Sequence, residues 1–299
     1  MTPVVLVFPC FGGGTTTIIL GDPPPEEAPA ACDDGGRVLD GSVAGYDRLG
    51  KVMSAGIGYW IALDSAASTE RIARLGYDYV CLDMQHGLIG YDGMVRGLTA
   101  IDAGGGSKGY VRVGANTALE IGRALDAGAV GVIVPLVDTV DDAVRAVASA
   151  QYPPQGFRSY GPTRAQLRIG PKPAEADAAV ACFAMIETAD GLANVEAICA
   201  VPGLAGVYVG PADLCLAIGG AYPGDPAVAD AFEAALTRVR TAAAAAGVAV
   251  GIHTFTGTDA ARRIAEGFTF ASVAADLSHL ERAAADELRA ARRIDGSDG

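Results

Sequence analysis

Cations are scarce in this chain, and lysine is scarcest: 22 Lys plus Arg stand against 35 Asp plus Glu in 299 residues, a formal charge of -13, and only Lys51, Lys108 and Lys172 are lysines. No Lys/Arg cluster interrupts the acidic background. Nucleic-acid phosphates and anionic membrane surfaces would both be repelled at long range, so neither is expected as a partner. Each lysine sits beside Gly or Pro at a segment edge. A Schiff-base enzyme needs a lysine desolvated in an apolar pocket, and no strand supplies one. The six cysteines, Cys10, Cys32, Cys81, Cys182, Cys199 and Cys215, form no CxxC pair and no spaced Cys/His set of the zinc type. That excludes a zinc site or disulfide framework as the first expectation and leaves buried free thiols.

Other absences narrow the class further. No apolar run approaches the ~20 residues of a spanning helix; the longest candidate is Ala242–Ile252. The opening MTPVVLVFPC resembles a secretory core but lacks a basic start, the first cation being Arg37, so a cytoplasmic location is expected. There is no GxxxxGK[ST], no GxGxxG opening a helix and no GxSxG, which argues against a phosphate loop and a serine nucleophile. What is present is 51% hydrophobic residues, much of it alanine, with 6% aromatics. That composition suits helices packed closely on a sheet.

Residues 1–42 differ from the rest, with GGG at 12–14, PPP at 23–25 and CDDGG at 32–36. They read as an N-terminal extension preceding a single domain over 43–299. Its apolar pieces, Val4–Phe8 and Thr16–Leu20, are equally strands pairing against the body or the product of a start codon set too far upstream. From Tyr46 onward short β-type runs alternate with Ala-rich helical stretches. Strands are expected at Gly58–Leu63, Tyr79–Asp83, Tyr110–Val113, Val130–Val134, Cys182–Glu187, Gly206–Val209, Ala249–Ile252 and Phe270–Val273. Helices are expected at Thr69–Leu75, Asp92–Asp102, Ala118–Asp126, Asp141–Ser149, Leu192–Ala200, Ala227–Ala246, Asp259–Glu266 and Ser278–Arg292. Ser278 is a candidate N-cap, and Gly76, Gly128, Gly247 and Gly267 are candidate stops. Eight βα units in about 250 residues point to a (β/α)8 barrel. The connection Tyr152–Pro173, rich in Pro and Gly and carrying Arg158, Arg164 and Arg168, is long enough to be functional or an oligomer contact.

In such a barrel the chemistry gathers at the carboxyl ends of the strands. There the sequence places Asp83, His86, Arg112, Glu187 and Asp213. Glu187 and Asp213, two carboxylates at adjacent strand ends, suggest an all-oxygen site for Mg²⁺ or Mn²⁺ completed by water and substrate oxygens. Taken singly, Glu187 also reads as a helix cap and Asp213 as an N-cap. His86, with an ordinary pKa of roughly 6.5, is the natural proton carrier. His253 also follows a strand, in GIHTF, with nothing else to mark it; His279 is expected on a helix surface. Arg112 suits a carboxylate or developing oxyanion, or a salt bridge with Asp83, and the two roles are compatible.

The constellation resembles the metal-dependent (class II) pyruvate aldolases of the 4-hydroxy-2-oxoheptanedioate aldolase type, the HpcH/HpaI family. The likeness runs from about Leu49 to Arg292 through GYDYVCLDMQHG (76–87), YVRVGAN (110–116), ALDAGAVGVIVPLV (124–137), YPPQGFRSYGP (152–162), MIET (185–188), GVYVGPADL (206–214) and FASVAADLS (270–278). It implies a barrel of the phosphoenolpyruvate/pyruvate type whose last helix is exchanged between subunits, in dimers that assemble into hexamers. It implies reversible cleavage of a 4-hydroxy-2-oxo acid to pyruvate and an aldehyde through a metal-stabilised enolate. The metal it implies is Mg²⁺ or Mn²⁺, with Co²⁺ as an alternative. By position, Glu187 and Asp213 match the metal ligands, His86 the acid/base acting through water, and Arg112 the enolate stabiliser. Asp126 matches a carboxylate that raises the basicity of the histidine; because it falls at a helix end away from the mouth, it would act from another subunit or through a different strand-four geometry. Asp83 supports the site, and Gly210, Pro211, Ala212 and Asp213 form the turn that holds the pyruvate carboxylate. Met185 stands where the family often has a substrate-touching Gln, and Gln85 where an acid often precedes the histidine. A CoA-thioester lyase of the citrate lyase β or malyl-CoA type is the alternative, its CoA groove resting on the 152–173 loop. A non-catalytic ligand-binding barrel is another.

Overall fold

The computed structural model describes residues 4–9, 15–20 and 56–294. The chain divides into two compact units, Met1–Val43 and Ala44–Gly299. In the first, β1 (Val4–Pro9) and β2 (Thr15–Leu20) pair with each other antiparallel, Val4 opposite Leu20 and Pro9 opposite Thr15.

In the second unit eight parallel strands close into a barrel: β3 (Gly56–Ile61), β4 (Tyr79–Asp83), β5 (Lys108–Arg112), β6 (Gly131–Val134), β7 (Ala181–Ile186), β8 (Gly206–Val209), β9 (Ala249–Thr254) and β10 (Phe270–Ala275), with β10 returning to β3. Each is a short apolar run whose alternate residues face opposite ways. One set (Trp60, Tyr79, Cys81, Tyr110, Ile133, Phe183, Met185, Tyr208 and Phe270) packs as its own buried cluster inside the barrel. The other set (Val80, Leu82, Val111, Val132, Cys182, Ala184, Val207 and Val250 among them) packs outward under the helices. Large rings inside demand small neighbours: a Cβ on Gly58 would stand 2.0 Å from the Tyr79 ring. Buried ring hydroxyls find partners, as Tyr208 and Tyr79 both do at Ser272 Oγ, 2.6 and 2.8 Å away.

The helices are α1 (Ala66–Ala73), α2 (Tyr91–Gly104), α3 (Ala118–Asp126), α4 (Val140–Ala150), α5 (Pro173–Ala179), α6 (Ala189–Ala193), α7 (Val195–Cys199), α8 (Pro211–Ala217), α9 (Ala229–Ala246), α10 (Gly257–Ala265) and α11 (Asp276–Ile294). Where a strand hands over to a helix, Ser65, Thr117, Thr139, Thr188 and Thr256 cap it through their side-chain oxygens. The expected stops at Gly76, Gly128, Gly247 and Gly267 all take the left-handed conformation, with φ between +69° and +105°.

The differences from expectation are local. The first barrel strand begins at Gly56 and ends at Ile61, because Asp276 binds the amides of Ala62 and Leu63 and turns them out of the sheet. Ser278 is not a cap: α11 already starts at Asp276, and Ser278 bonds back to Ala275 inside the first turn. The single helix expected at Leu192–Ala200 is two pieces meeting at Asn194. The helices α5 and α8, each seven residues opened by a proline, were not anticipated. Cys81, Cys182, Cys199 and Cys215 are free and buried; Cys10, Cys32 and Lys51 lie outside the described residues. Among the described residues no helix is long and apolar enough to cross a membrane.

Candidate active site

The two-residue period of the strands decides which side chains enter the mouth. On β4 the inward set Tyr79, Cys81 ends at Asp83; on β5 Tyr110 leads to Arg112; on β7 Phe183 and Met185 lead to Glu187, one residue past the strand; on β9 the set ends at His253. Asp83 and Arg112 are register partners on adjacent strands, so an acid and a base face each other at the barrel's rim.

They are bound as a fork. Arg112 donates from Nε to Asp83 Oδ1 at 2.9 Å and from Nη2 to Oδ2 at 2.5 Å. The sole tryptophan, Trp60, adds a third donor to Oδ2 at 3.1 Å, and its ring lies 5.2 Å under the guanidinium. The amides of Gln85 and His86 close on Asp83 Oδ1, which fixes the loop carrying the histidine. Gly87 must be glycine here: a Cβ would lie 2.2 Å from the Asp83 carbonyl. Burial opposes ionisation of Asp83, but the bond and charge of Arg112, then Trp60 and the His86 amide, outweigh it and hold the carboxyl below its ordinary value. Burial likewise works against the Arg112 charge, and Asp83 more than offsets it, keeping the guanidinium above its usual value. Asp83 engages two of the five N–H donors of the fork, leaving others for a substrate oxygen.

Glu187 meets the opposite environment. Its Oε1 accepts from the amide of Leu136 at 2.9 Å, and Leu136 holds a left-handed φ of +53° to deliver it. Its Oε2 is buried with no hydrogen-bond partner. Burial, followed by the charges of Asp213 and Asp138, pushes the Glu187 carboxyl above its ordinary value despite Leu136 and Arg112. Neither capping role applies: Thr188 caps α6, and α8 is entered through Gly210 with no side-chain cap. Asp213 lies in the first turn of α8, exposed on the open side, near enough for its charge to act on Glu187. Gly210 completes the cradle, since a Cβ there would fall 2.5 Å from Glu187 Oε2 and 2.6 Å from Met185 Cε.

An orphaned buried carboxylate oxygen beside a second carboxylate, in space that one methyl group would fill, fits a divalent cation with oxygen ligands. Among the described residues no three or more His, Cys, Asp or Glu gather as a set, so protein ligation would rest on two carboxylates, with other positions open to substrate and water.

The remaining sequence-derived residues separate. His86 is exposed at the mouth on the loop pinned by Asp83. Met185 is buried inside the barrel next to Gly210. Asp126 is not brought to this mouth within the chain: it ends α3 on the face where strands begin, paired with Arg158 at 2.7 Å. Burial raises its carboxyl and Arg158 opposes the rise. The 152–173 loop joins α4 to β7 on that same face, where Arg164 and Arg168 bind Asp102 at the end of α2. It therefore lines no part of the chain's own mouth, so the CoA-thioester reading gains no support there. Lys108 begins β5, also away from the mouth, and burial lowers its ammonium pKa; Lys172 is exposed beside Glu175. His279 sits in the first turn of α11 but is half-buried, its Nδ1 2.7 Å from the Tyr59 hydroxyl.

Three contributors escaped the sequence reading: Trp60, Leu136 through its amide, and Asp138, which accepts a short bond from Thr188. Trp60 carried a signal, as the one tryptophan of the chain and near the end of a strand; the others carried none.

The family model for HpcH/HpaI aldolase/citrate lyase matches residues 56–283. The hydroxypyruvate/pyruvate aldolase of Rhizorhabdus wittichii is 40% identical over 236 residues, covering 79% of this chain and 93% of the relative. The 4-hydroxy-2-oxovalerate aldolase of Rhodococcus jostii is 38% identical over 230 residues, covering 75% and 86%. The crystal structure of an HpcH/HpaI aldolase/citrate lyase family protein from Burkholderia cenocepacia superposes with a TM-score of 0.74 at 35% identity, covering 82% of this chain and 97% of that one. With the closed eight-stranded barrel and the paired acids at its mouth, this chain belongs to the HpcH/HpaI aldolase/citrate lyase family of lyases.

Proposed function

We propose that the protein is a divalent-metal-dependent aldolase that reversibly cleaves a 4-hydroxy-2-oxo acid to pyruvate and an aldehyde. The observation that carries this reading is the buried, unpartnered Oε2 of Glu187 beside Asp213, facing the Asp83–Arg112 fork across one mouth. Glu187 and Asp213 would hold Mg²⁺, Mn²⁺ or Co²⁺, which when bound supplies Lewis-acid stabilisation of the developing enolate, several kcal/mol in comparable sites. Arg112 offers its remaining donors to the 2-oxo group, locked in place by Asp83 and Trp60 so that little is reorganised during reaction. The first-turn amides of Ala212 and Asp213, which have no acceptor within α8, take the pyruvate carboxylate, with Gly210 and Pro211 setting the turn and Met185 forming its floor. His86 removes the proton from the C4 hydroxyl as the C3–C4 bond breaks, and returns it in the aldol direction. Asp126, on the far face of its own barrel, would serve a neighbouring subunit.

Support for assembly comes from α11. Every residue from 281 to 292 is exposed, and Leu277, Leu280 and Leu288 present apolar surface that nothing in the described chain covers. An exchanged terminal helix in a dimer-based homo-oligomer, up to a hexamer, covers it; a cytoplasmic location suits the acidic chain. The test is pyruvate release from 4-hydroxy-2-oxo acids, coupled to lactate dehydrogenase: activity should require Mg²⁺ or Mn²⁺ and vanish with EDTA and in Glu187→Ala. Metal-independent cleavage, or full activity in that variant, overturns the reading.

A further inference from the structure

The barrel mouth is nearly free of cationic side chains. The connections leading from strands into helices (62–65, 84–90, 113–117, 135–139, 187–188, 210–228 and 255–256) contain no lysine and no arginine, while Asp64, Asp138, Glu187, Asp213 and Asp225 lie in them; β10 runs straight into α11. Three helix arginines reach these connections and all are engaged: Arg96 pairs with Asp64 at 2.8 Å, Arg123 lies over the ring of Tyr91 at 3.9 Å, and Arg263, which lines the cavity beside His253 and Phe255, pairs with Glu233 at 2.7 Å and Glu266 at 3.0 Å. Arg112 is forked to Asp83. A carboxylate, phosphate or sulfonate on the aldehyde partner would therefore enter an acidic, partly desolvated mouth with no uncommitted cation of the same barrel among the described residues to receive it, which is unfavourable.

Something else is offered in place of a cation. His253 faces inward beside the fork, its ring edge-on to Trp60 at 5.1 Å and to the exposed Phe255 at 5.6 Å. It is half-buried, and among the described residues its ring nitrogens have no hydrogen-bond partner. Burial, with Arg112 behind it, lowers the imidazole to a pKa of about 4, so at neutral pH it presents one donor and one acceptor without charge.

We propose that this mouth selects uncharged hydroxy-aldehydes as the aldehyde partner, with His253 hydrogen-bonding the hydroxyl next to the carbonyl. The inference rests on the aldolase reading above and names its substrate class. A site built to bond a hydroxyl rejects the analogue lacking it, because its own polar group is left unpaired.

The test uses the full chain with Mg²⁺ and pyruvate in the aldol direction. Glycolaldehyde should exceed glyoxylate and succinic semialdehyde in kcat/KM by at least tenfold. His253→Leu should lower kcat/KM for glycolaldehyde about tenfold, mainly through KM, yet leave propionaldehyde, its isostere without the hydroxyl, within twofold. Phe255→Arg should raise use of succinic semialdehyde at least fivefold with glycolaldehyde unchanged. Equal or better use of the anionic aldehydes overturns the inference, as does a His253→Leu variant that loses glycolaldehyde and propionaldehyde alike. Mg²⁺-dependent deuterium exchange at the pyruvate methyl separates the two levels: exchange with a preference for anionic aldehydes sinks the specificity alone, whereas no exchange and no cleavage sinks the aldolase reading and this inference with it.

Discussion

Asp83 and Glu187 are equally hidden at the barrel mouth, 4% and 2% exposed, yet their surroundings are opposite. Asp83 receives two bonds from Arg112, one from Trp60 and two from backbone amides, and its carboxyl is held below the ordinary range. Glu187 receives one amide, keeps an oxygen unpartnered and is pushed above it. Burial is common to both, so partners make the difference. One acid is a fixture that orients a base and a loop; the other keeps an oxygen free where the proposed cation would bind. A buried carboxylate left unpaired is unfavourable for the fold, and a cation site is the use that explains keeping it.

The comparison can be broken most severely at Glu187. Glu187→Gln keeps the shape and removes the charge, so kcat/KM for retro-aldol cleavage should fall by ~10³-fold or more, about 4 kcal/mol of barrier, with the fold intact by circular dichroism. Asp83→Asn should behave inversely, weakening the fold itself: it strands the buried Arg112 charge, and urea unfolding should show a loss of about 3–5 kcal/mol. Replacing the pair together, Asp83→Leu with Arg112→Met, should recover most of that stability without restoring catalysis, because a buried ion pair exchanged for apolar volume is often neutral. A smaller effect is expected from Gly210→Ala, whose methyl would press on Glu187 Oε2. Crowding of this kind is worth about 1–3 kcal/mol, read as a raised Mg²⁺ requirement in titrations of activity.

Much of this arrangement was legible beforehand, for identifiable reasons. The eight strands are short apolar runs set between glycine stops, and a period of two then sends Asp83, Arg112 and Glu187 inward at their carboxyl ends. What stayed hidden was either too short or too distant. Seven residues in α8 make less than two full turns of periodicity, so GPADLCLA reads as a turn although Pro211 marks a helix start. The left-handed Leu136 and its bond to Glu187 join residues 51 apart, with no local signature. Asp126 was legible in part: the sequence sets it at a helix end away from the mouth, and the structure finds it at the end of α3, but its partner Arg158, 32 residues on, carried no local signal.

The finest separation of the two acids is in pH. Glu187 ionises at a higher pH in the folded chain than in the unfolded one, so its contribution to stability is complete below the unfolded carboxyl value of ~4.3 and is lost as pH rises through the folded value. Asp83 has the depressed value; its contribution is present above the unfolded ~3.9 and is lost as pH falls through the folded value. Without metal, the Glu187→Gln variant should therefore gain on the wild type in urea midpoint as pH is raised from 4 to 8, whereas the deficit of Asp83→Asn should narrow only toward acid. Saturating Mg²⁺, which binds the folded chain alone, should erase the Glu187→Gln advantage by stabilising the wild type and should leave the variant unmoved. A wild type and variant that track each other across that range, or gain equally from Mg²⁺, would show that Glu187 is neither strained by its burial nor relieved by the cation.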